Sequence, residues 1–315
     1  MDDERSEPMP ELHLSTVTRT QGNNAALTDG TVAPHGAVLD LVDVPVLVQA
    51  FRRMVRENAF DVSEMAFTTY LVAKAHGARF TALPVFLVRG FHHGAIRVAG
   101  GGIAPKDLEG RRVGVNRGYT VTTGVWARGV LAAEHGVDLD AVTWVCSGDE
   151  HVREYGPPAN VESMPPGDDL ARMLAEGRID AAIGVDAGVP LIPDPDGAGV
   201  AALRRDGHYP INHLVVVRDE VLDAHPGLAA DLFSAFAEAK NRYVARLRAG
   251  SVENATDRMY ARVMDVTGAD PLPYGIAPNR GAIEALLDHA VAQHILDGRP
   301  DVASLFAEGT HDLAG

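Results

Sequence analysis

Residues of anion-binding type gather in the run Asn116 to Gly124, NRGYTVTTG. If a helix begins there, its first turn offers unpaired backbone N–H groups and about half a positive charge. Thr120, Thr122 and Thr123 would add hydroxyl donors, and Tyr119 a wall. An ordinary N-cap with β-branched neighbours uses the same residues, and the lack of a Gly-x-Gly-x-x-Gly or Walker pattern speaks against a nucleotide. Arg89, His92 and His93 follow a buried-type apolar run. An arginine can grip a carboxylate through two parallel hydrogen bonds, and histidine exchanges protons near neutral pH. Adjacent histidines on a continuing strand face opposite ways, so one of them could reach a given cleft, and the pair alone is a poor metal site. The plain alternative is one histidine in solvent and one packed imidazole. Glu64, followed by Thr68 and Thr69, stands where a strand passes into a helix. A carboxylate there can orient or deprotonate a ligand hydroxyl, or simply charge the helix start. Arg53 shares a helix face with Arg52 and Arg56 and reads by itself as solvated. The titratable stretch Asp149 to Asn160 contains prolines that suit a surface loop, and His213 opens a predicted strand, where a structural role is the default.

Positioning these groups falls to strand-like runs that alternate with helical ones, the pattern of an α/β fold with mainly parallel strands. Strands are predicted at Leu12–Val17, Gly36–Val42, Phe60–Glu64, Thr81–Val88, Ala95–Val98, Arg112–Val115, Val142–Cys146, Asp180–Ile183 and His213–Val217. Helices are predicted from about Pro45 to Asn58, with Val48, Phe51 and Val55 on one face, and over Phe67–Ala75, Asp168–Glu176 and Leu228–Leu247. A long helix follows the Gly/Thr-rich turn, and the Pro/Gly-rich stretch Val189 to Gly199 reads as a loop. No solenoid period is present.

The chain has 315 residues, enough for about two domains, and its 46% hydrophobic and 23% charged residues are those of a globular protein. A formal charge of −15 argues against nucleic acid or an anionic membrane as partner. A few arginines and helix N-termini can still make one cleft positive. Cys146 is the single cysteine, so no intramolecular disulfide or cysteine-based zinc site forms. The acidic start carries no export signal or lipobox cysteine, and no apolar run has the length of a transmembrane helix, so a cytoplasmic protein is expected.

The runs FDVSEMAFTTYLVAKAHG, TALPVFLVRGFHHG, DLEGRRVGVNRGYTVTTGVWARGVLAAEHGVDLDAVTW and DEHVREYGPPAN, in this order, resemble the 4,5-dihydroxyphthalate decarboxylase family. The resemblance spans about residues 12 to 300. It implies an α/β, two-lobed type 2 periplasmic-binding-protein fold with the ligand between lobes. Lobe I would comprise 1–94 and 214–315 and lobe II 95–213, with crossovers near Gly94–Val98 and Pro210–Val215. It further implies a carboxy-lyase that acts on a hydroxylated aromatic dicarboxylate in aromatic degradation, giving protocatechuate and CO2 from 4,5-dihydroxyphthalate. His92 or His93 would donate the proton and Glu64 would act as base or orient a hydroxyl. Arg89 and the Thr122/Thr123 helix end would hold carboxylates, lined by Thr68, Tyr119 and Thr120, with Arg53 and His213 as further contributors. The substrate's para hydroxyl can serve as electron sink, so no organic cofactor is expected. A divalent metal held by His92, His93, His213, Glu64 and His151 is the minority version. The same superfamily contains solute-binding proteins of uptake systems and chorismate-dehydratase-like lyases, which remain the alternatives, and self-association into a homo-oligomer stays open. The absence of an export signal favours the enzyme.

Overall fold

The structure, a computed structural model, describes residues 11 to 315. The acidic start Met1 to Pro10 lies outside that range. Strands β1 (Leu12–Val17), β2 (Ala37–Leu41), β3 (Val62–Ala66) and β4 (Phe80–Arg89) belong to a first sheet. Strands β5 (Ile96–Val98), β6 (Arg112–Val115), β7 (Thr143–Cys146), β8 (Val161–Ser163), β9 (Ala181–Ile183) and β10 (Val189–Pro190) form a second. The chain then returns to the first sheet as β11 (Ile211–Arg218).

The first sheet runs in the order β2-β1-β3-β11-β4, with β1 parallel to β2 and β3, and β11 antiparallel to both neighbours. The second runs β10-β5-β9-β6-β7-β8, parallel from β9 to β8 and antiparallel where β5 and β10 join. Each sheet is therefore mixed, and strands beside the two crossovers supply the antiparallel members. Helices cover the parallel parts, so a buried strand such as β3, whose five residues are all buried, carries side chains inward on both faces.

Two helices matter most for the site. Phe67–Ala75 starts directly after β3 and is buried from Phe67 through Ala73. Thr122–His135 follows the turn after β6 and stops at Gly136, whose φ of 64° is the left-handed conformation that ends helices. The C-terminal helix Arg280–Ala292 packs on the latter, and Gln293 ties to it by accepting from Arg128 Nε at 2.8 Å and donating to the Val125 carbonyl at 2.9 Å. The stretch Val189 to Gly199 is more ordered than its composition suggests. It holds β10 and then the start of helix Pro195–Asp206, where Pro195 occupies the first turn and Asp194 caps Gly197 N–H. Among the described residues, no helix is long and apolar enough to cross a membrane.

Candidate functional site

The carboxyl ends of the parallel strands are where open α/β sheets bind ligands, and the chemically capable side chains collect there. Glu64 lies in the middle of β3, two residues short of its end, and is 1% exposed. Its Oε2 accepts from the Thr18 hydroxyl and the Arg19 N–H, each at 2.9 Å, and its Oε1 accepts from His213 Nδ1 at 2.6 Å. Burial pushes this carboxyl up, but the bond to His213, its charge and the Arg19 and Thr18 donors outweigh burial and hold it below the usual carboxylate range. The carboxylate accepts only, so Nδ1 carries the hydrogen and Nε2 becomes the working nitrogen of His213. The His213 side chain is 22% exposed and packs edge-on to Phe51 at 5.2 Å. Glu64 itself has no open oxygen: it positions His213.

The second sheet contributes the start of helix Thr122–His135, and here the chain satisfies most of its own donors. Glu150 accepts from the Tyr119 N–H, from the Thr120 N–H at 3.2 Å and from the Thr120 hydroxyl. Gly118 makes room for it, since a Cβ there would sit 2.7 Å from the carboxyl. Tyr119 is packed under Arg128, whose guanidinium lies 3.8 Å from the ring. Thr122 accepts from the Thr68 N–H at 3.1 Å and pairs with its hydroxyl at 2.8 Å, joining two helix starts across the sheets. Thr68, Thr120 and Thr122 thus bond across the two sheets, Tyr119 packs within the second, and the three threonine hydroxyls and the Tyr119 N–H are occupied by protein groups. Thr123, with Gly124, Asn116, Arg117 and Gly184, lines a cavity of about 220 Å³. Its hydroxyl lies 3.4 Å from the Asn212 amide, one residue before His213.

The geometry gives several of the expected site residues partners of their own. Arg89 donates to the carbonyls of Tyr209 and Pro273, each at 3.0 Å, and to Asn279 Oδ1. His93 lies in a short 3₁₀ turn, His93–Ala95, so strand alternation does not apply to it, and its Nε2 meets Glu134 at 3.1 Å. His92 is buried against Trp126, with ring centroids 6.2 Å apart. Burial, with the neighbouring His93 adding, lowers its pKa to about 3, so it is neutral at physiological pH and a poor proton donor. Arg53 covers the Phe60 ring and faces Glu57 on its own helix. Its neighbours reach across instead: Arg52 meets Asp149 at 2.7 Å, and Arg56 meets Asp149 at 3.0 Å and the Glu150 carbonyl at 2.7 Å. The Asp149 end of the presumed surface loop is therefore a junction between sheets.

The comparisons with known proteins bear on this geometry. The chain is 30% identical to the 4,5-dihydroxyphthalate decarboxylase of Comamonas testosteroni, over 95% of this chain and 97% of that protein. It belongs to the 4,5-dihydroxyphthalate decarboxylase family. A Pseudomonas putida protein of the same name is 34% identical over 60% of this chain and 81% of its own length. No family model matches. The desulfurization enzyme DSZB superposes with a TM-score of 0.51 at 17% identity, covering 95% of this chain and 97% of that one. The aliphatic sulphonate binding protein SsuA of Escherichia coli gives 0.51 at 13% identity, covering 96% and 99%. These likenesses show the type 2 periplasmic-binding-protein fold for this member of the decarboxylase family, as its sequence implies.

Within this family member, sequence reasoning passed over Arg19 and Asn212, and took Arg117 and Glu150 only as members of the runs Asn116–Gly124 and Asp149–Asn160. Arg19 follows β1 and Arg117 follows β6, so attention to the strand ends would have found both. The site also makes the fold acid-sensitive. His151, bonded by Thr69 at 3.0 Å, has its pKa lowered to about 4 by burial, with Arg52, Arg117 and Arg56 adding. Like His92, it binds its proton less readily folded than unfolded. Stability from both is complete above the unfolded value near pH 6.5 and is lost as pH falls toward about 4 and about 3, by up to about 1.4 kcal/mol per pH unit for each group. Urea titrations between pH 4 and 6.5 are expected to show a flatter stability slope for His92→Gln than for wild type, and equal slopes would remove His92 from this account.

Proposed function

We propose that this chain decarboxylates a hydroxylated aromatic dicarboxylate such as 4,5-dihydroxyphthalate, with His213 as the proton donor. The observation that carries the reading is the Glu64–His213 pair, at 2.6 Å, beside the strand ends where ligands bind. In this substrate each carboxylate is para to a hydroxyl. The hydroxyl oxygen pushes an electron pair into the ring as His213 Nε2 delivers its proton to the carbon bearing the carboxylate. The bond from that carbon to the carboxylate then breaks and its electron pair restores aromaticity. CO2 leaves, protocatechuate remains, and solvent reprotonates the imidazole. The buried Glu64 carboxylate offsets the imidazolium charge and fixes the ring, a division of labour seen wherever a histidine is held by an acid.

This chemistry asks no organic cofactor of the protein, since the para hydroxyl, in the keto form it takes once the ring carbon is protonated, is the sink for the electron pair of the breaking bond. For a metal, the donor chemistry present is unfavourable: Glu64 is spent on four donors, His93 on Glu134, and no three His, Cys, Asp or Glu side chains converge among the described residues. Cys146 is no alternative nucleophile, because burial pushes its thiol up to about 12. The test is to incubate purified protein with 4,5-dihydroxyphthalate and follow CO2 and protocatechuate. Equimolar release of both is expected, and tight binding of aromatic dicarboxylates without turnover would overturn the reading in favour of a receptor.

A further inference from the structure

We propose that Arg19 and Arg117 form a two-walled clamp that selects an aromatic ring carrying two adjacent carboxylates over one carrying a single carboxylate. The inference rests on the decarboxylase reading for the ring's chemistry but not for the clamp itself. Arg19 stands on the loop after β1, and its N–H is fixed by the buried Glu64 at 2.9 Å. Its side chain therefore starts beside the proton donor. Arg117 comes from the opposite wall, at the end of β6. It adopts a left-handed φ of 73°, a conformation non-glycine residues rarely take, and is held there by Ser147 Oγ, which accepts its N–H at 2.8 Å, and by the Gly148 N–H, which donates to its carbonyl at 3.2 Å. That backbone places Arg117 on the cavity shared with Thr123 and Gly124 at the helix start.

Neither guanidinium has an acidic partner among the described residues. The acids that could have neutralised them are occupied: Glu64 by His213, Thr18 and the Arg19 N–H, Glu150 by the Tyr119 and Thr120 donors, Asp149 by Arg52 and Arg56. A chain of contacts links the two: the Arg19 N–H bonds Glu64, Glu64 bonds His213, and Asn212 beside His213 meets Thr123, which lines one cavity with Arg117; the charge of Arg19 adds to burial in lowering the Arg117 pKa. Both residues are exposed and so open to a ligand, and an anion seated between two like charges is attracted to both. A single carboxylate would satisfy one arginine and leave the other uncompensated. Adjacent carboxylates on a benzene ring repel each other and point outward, so one reaches each wall.

The walls differ in consequence. A carboxylate that is about to leave as neutral CO2 gains nothing from strong ground-state binding. The wall richer in donors, Arg117 with the Thr123 hydroxyl and helix N–H groups, holds the carboxylate that stays. Arg19, beside His213, faces the one that leaves.

Equilibrium binding of phthalate and benzoate, which lack the hydroxyls and do not react, separates the two walls. Wild type is expected to bind phthalate at least tenfold more tightly than benzoate. R117Q is expected to weaken both ligands by about 10- to 100-fold, the scale of a lost charged pair. R19Q is expected to weaken phthalate alone, with R19K restoring part of the loss and thermal melting confirming that each variant is folded. Equal binding of the two acids by wild type, or an R19Q protein indistinguishable from wild type for phthalate, overturns the clamp. The outcome for the reaction is read separately on 4,5-dihydroxyphthalate. Arginine-dependent phthalate binding without CO2 release keeps the clamp and removes the decarboxylase reading, whereas CO2 release with unchanged KM in both variants does the reverse.

Discussion

His213→Ala is expected to lower kcat on 4,5-dihydroxyphthalate by about 10²–10⁴-fold, the usual contribution of a positioned general acid, with little change in KM and a lowered melting temperature. His213 is 22% exposed at its side chain, so its removal opens no sealed cavity and the variant still folds. What it does leave is Glu64, 1% exposed and without its strongest partner, and this unpaired buried carboxylate lowers the melting temperature. Glu64→Gln provides the complementary arm. The amide keeps the shape and can still meet the Thr18 and Arg19 positions in part, but it carries no charge and can turn its NH2 toward His213 Nδ1, which favours the wrong tautomer. A loss in kcat smaller than that of His213→Ala, again with KM retained, is expected. If His213→Ala turned over at the wild-type rate, the proton would have to come from elsewhere and the dyad would be structural.

Arg89→Met should act on the other quantity. It is expected to cost on the order of 3–5 kcal/mol of stability and about 10 °C in melting temperature, while kcat per folded molecule holds. The guanidinium joins the end of β4 to the Tyr209 carbonyl in front of β11 and to Pro273 and Asn279 before the C-terminal helix. Burial lowers its pKa only to about 10, so it remains charged at neutral pH and supplies several charge-assisted donors at once. Methionine fills similar space and leaves those carbonyls buried without donors. Thermal melting and turnover measured on the same preparation check this. A raised KM with an unchanged melting temperature would instead mean that Arg89 grips substrate.

Elements bounded by strong local signals were legible in the sequence. β6 and the helix that ends at Gly136 follow from an apolar run, a Gly/Thr-rich turn and a glycine in the left-handed conformation. Val189–Gly199 was not, because proline at a helix start and proline in a loop look alike until Asp194 is seen capping the turn. For the site, residue type could be read but partnership could not. Glu64 and His213 are 149 positions apart, and they meet because β11 inserts beside β3. Irregular register between β11 and β4 at Ile211, His213 and Leu214 re-aims these side chains in a way strand alternation does not foresee. Equally, the helix start after β6 had the composition of an anion site, yet Glu150 takes its first donors from a loop that reads as surface. Arg89 and the His92–His93 pair have types suited to catalysis, and the sequence does not reveal that they are buried or that Arg89 and His93 bond to protein groups far along the chain.

The most direct test of the account is to run the reaction in deuterium oxide and examine the product by NMR. With His213 as a donor in exchange with solvent, wild type should release CO2 and form protocatechuate with one deuterium at the carbon that lost its carboxylate, and His213→Ala should form it at least about 100-fold more slowly. Product formed at the wild-type rate by His213→Ala, or protium retained at the vacated carbon, would contradict it.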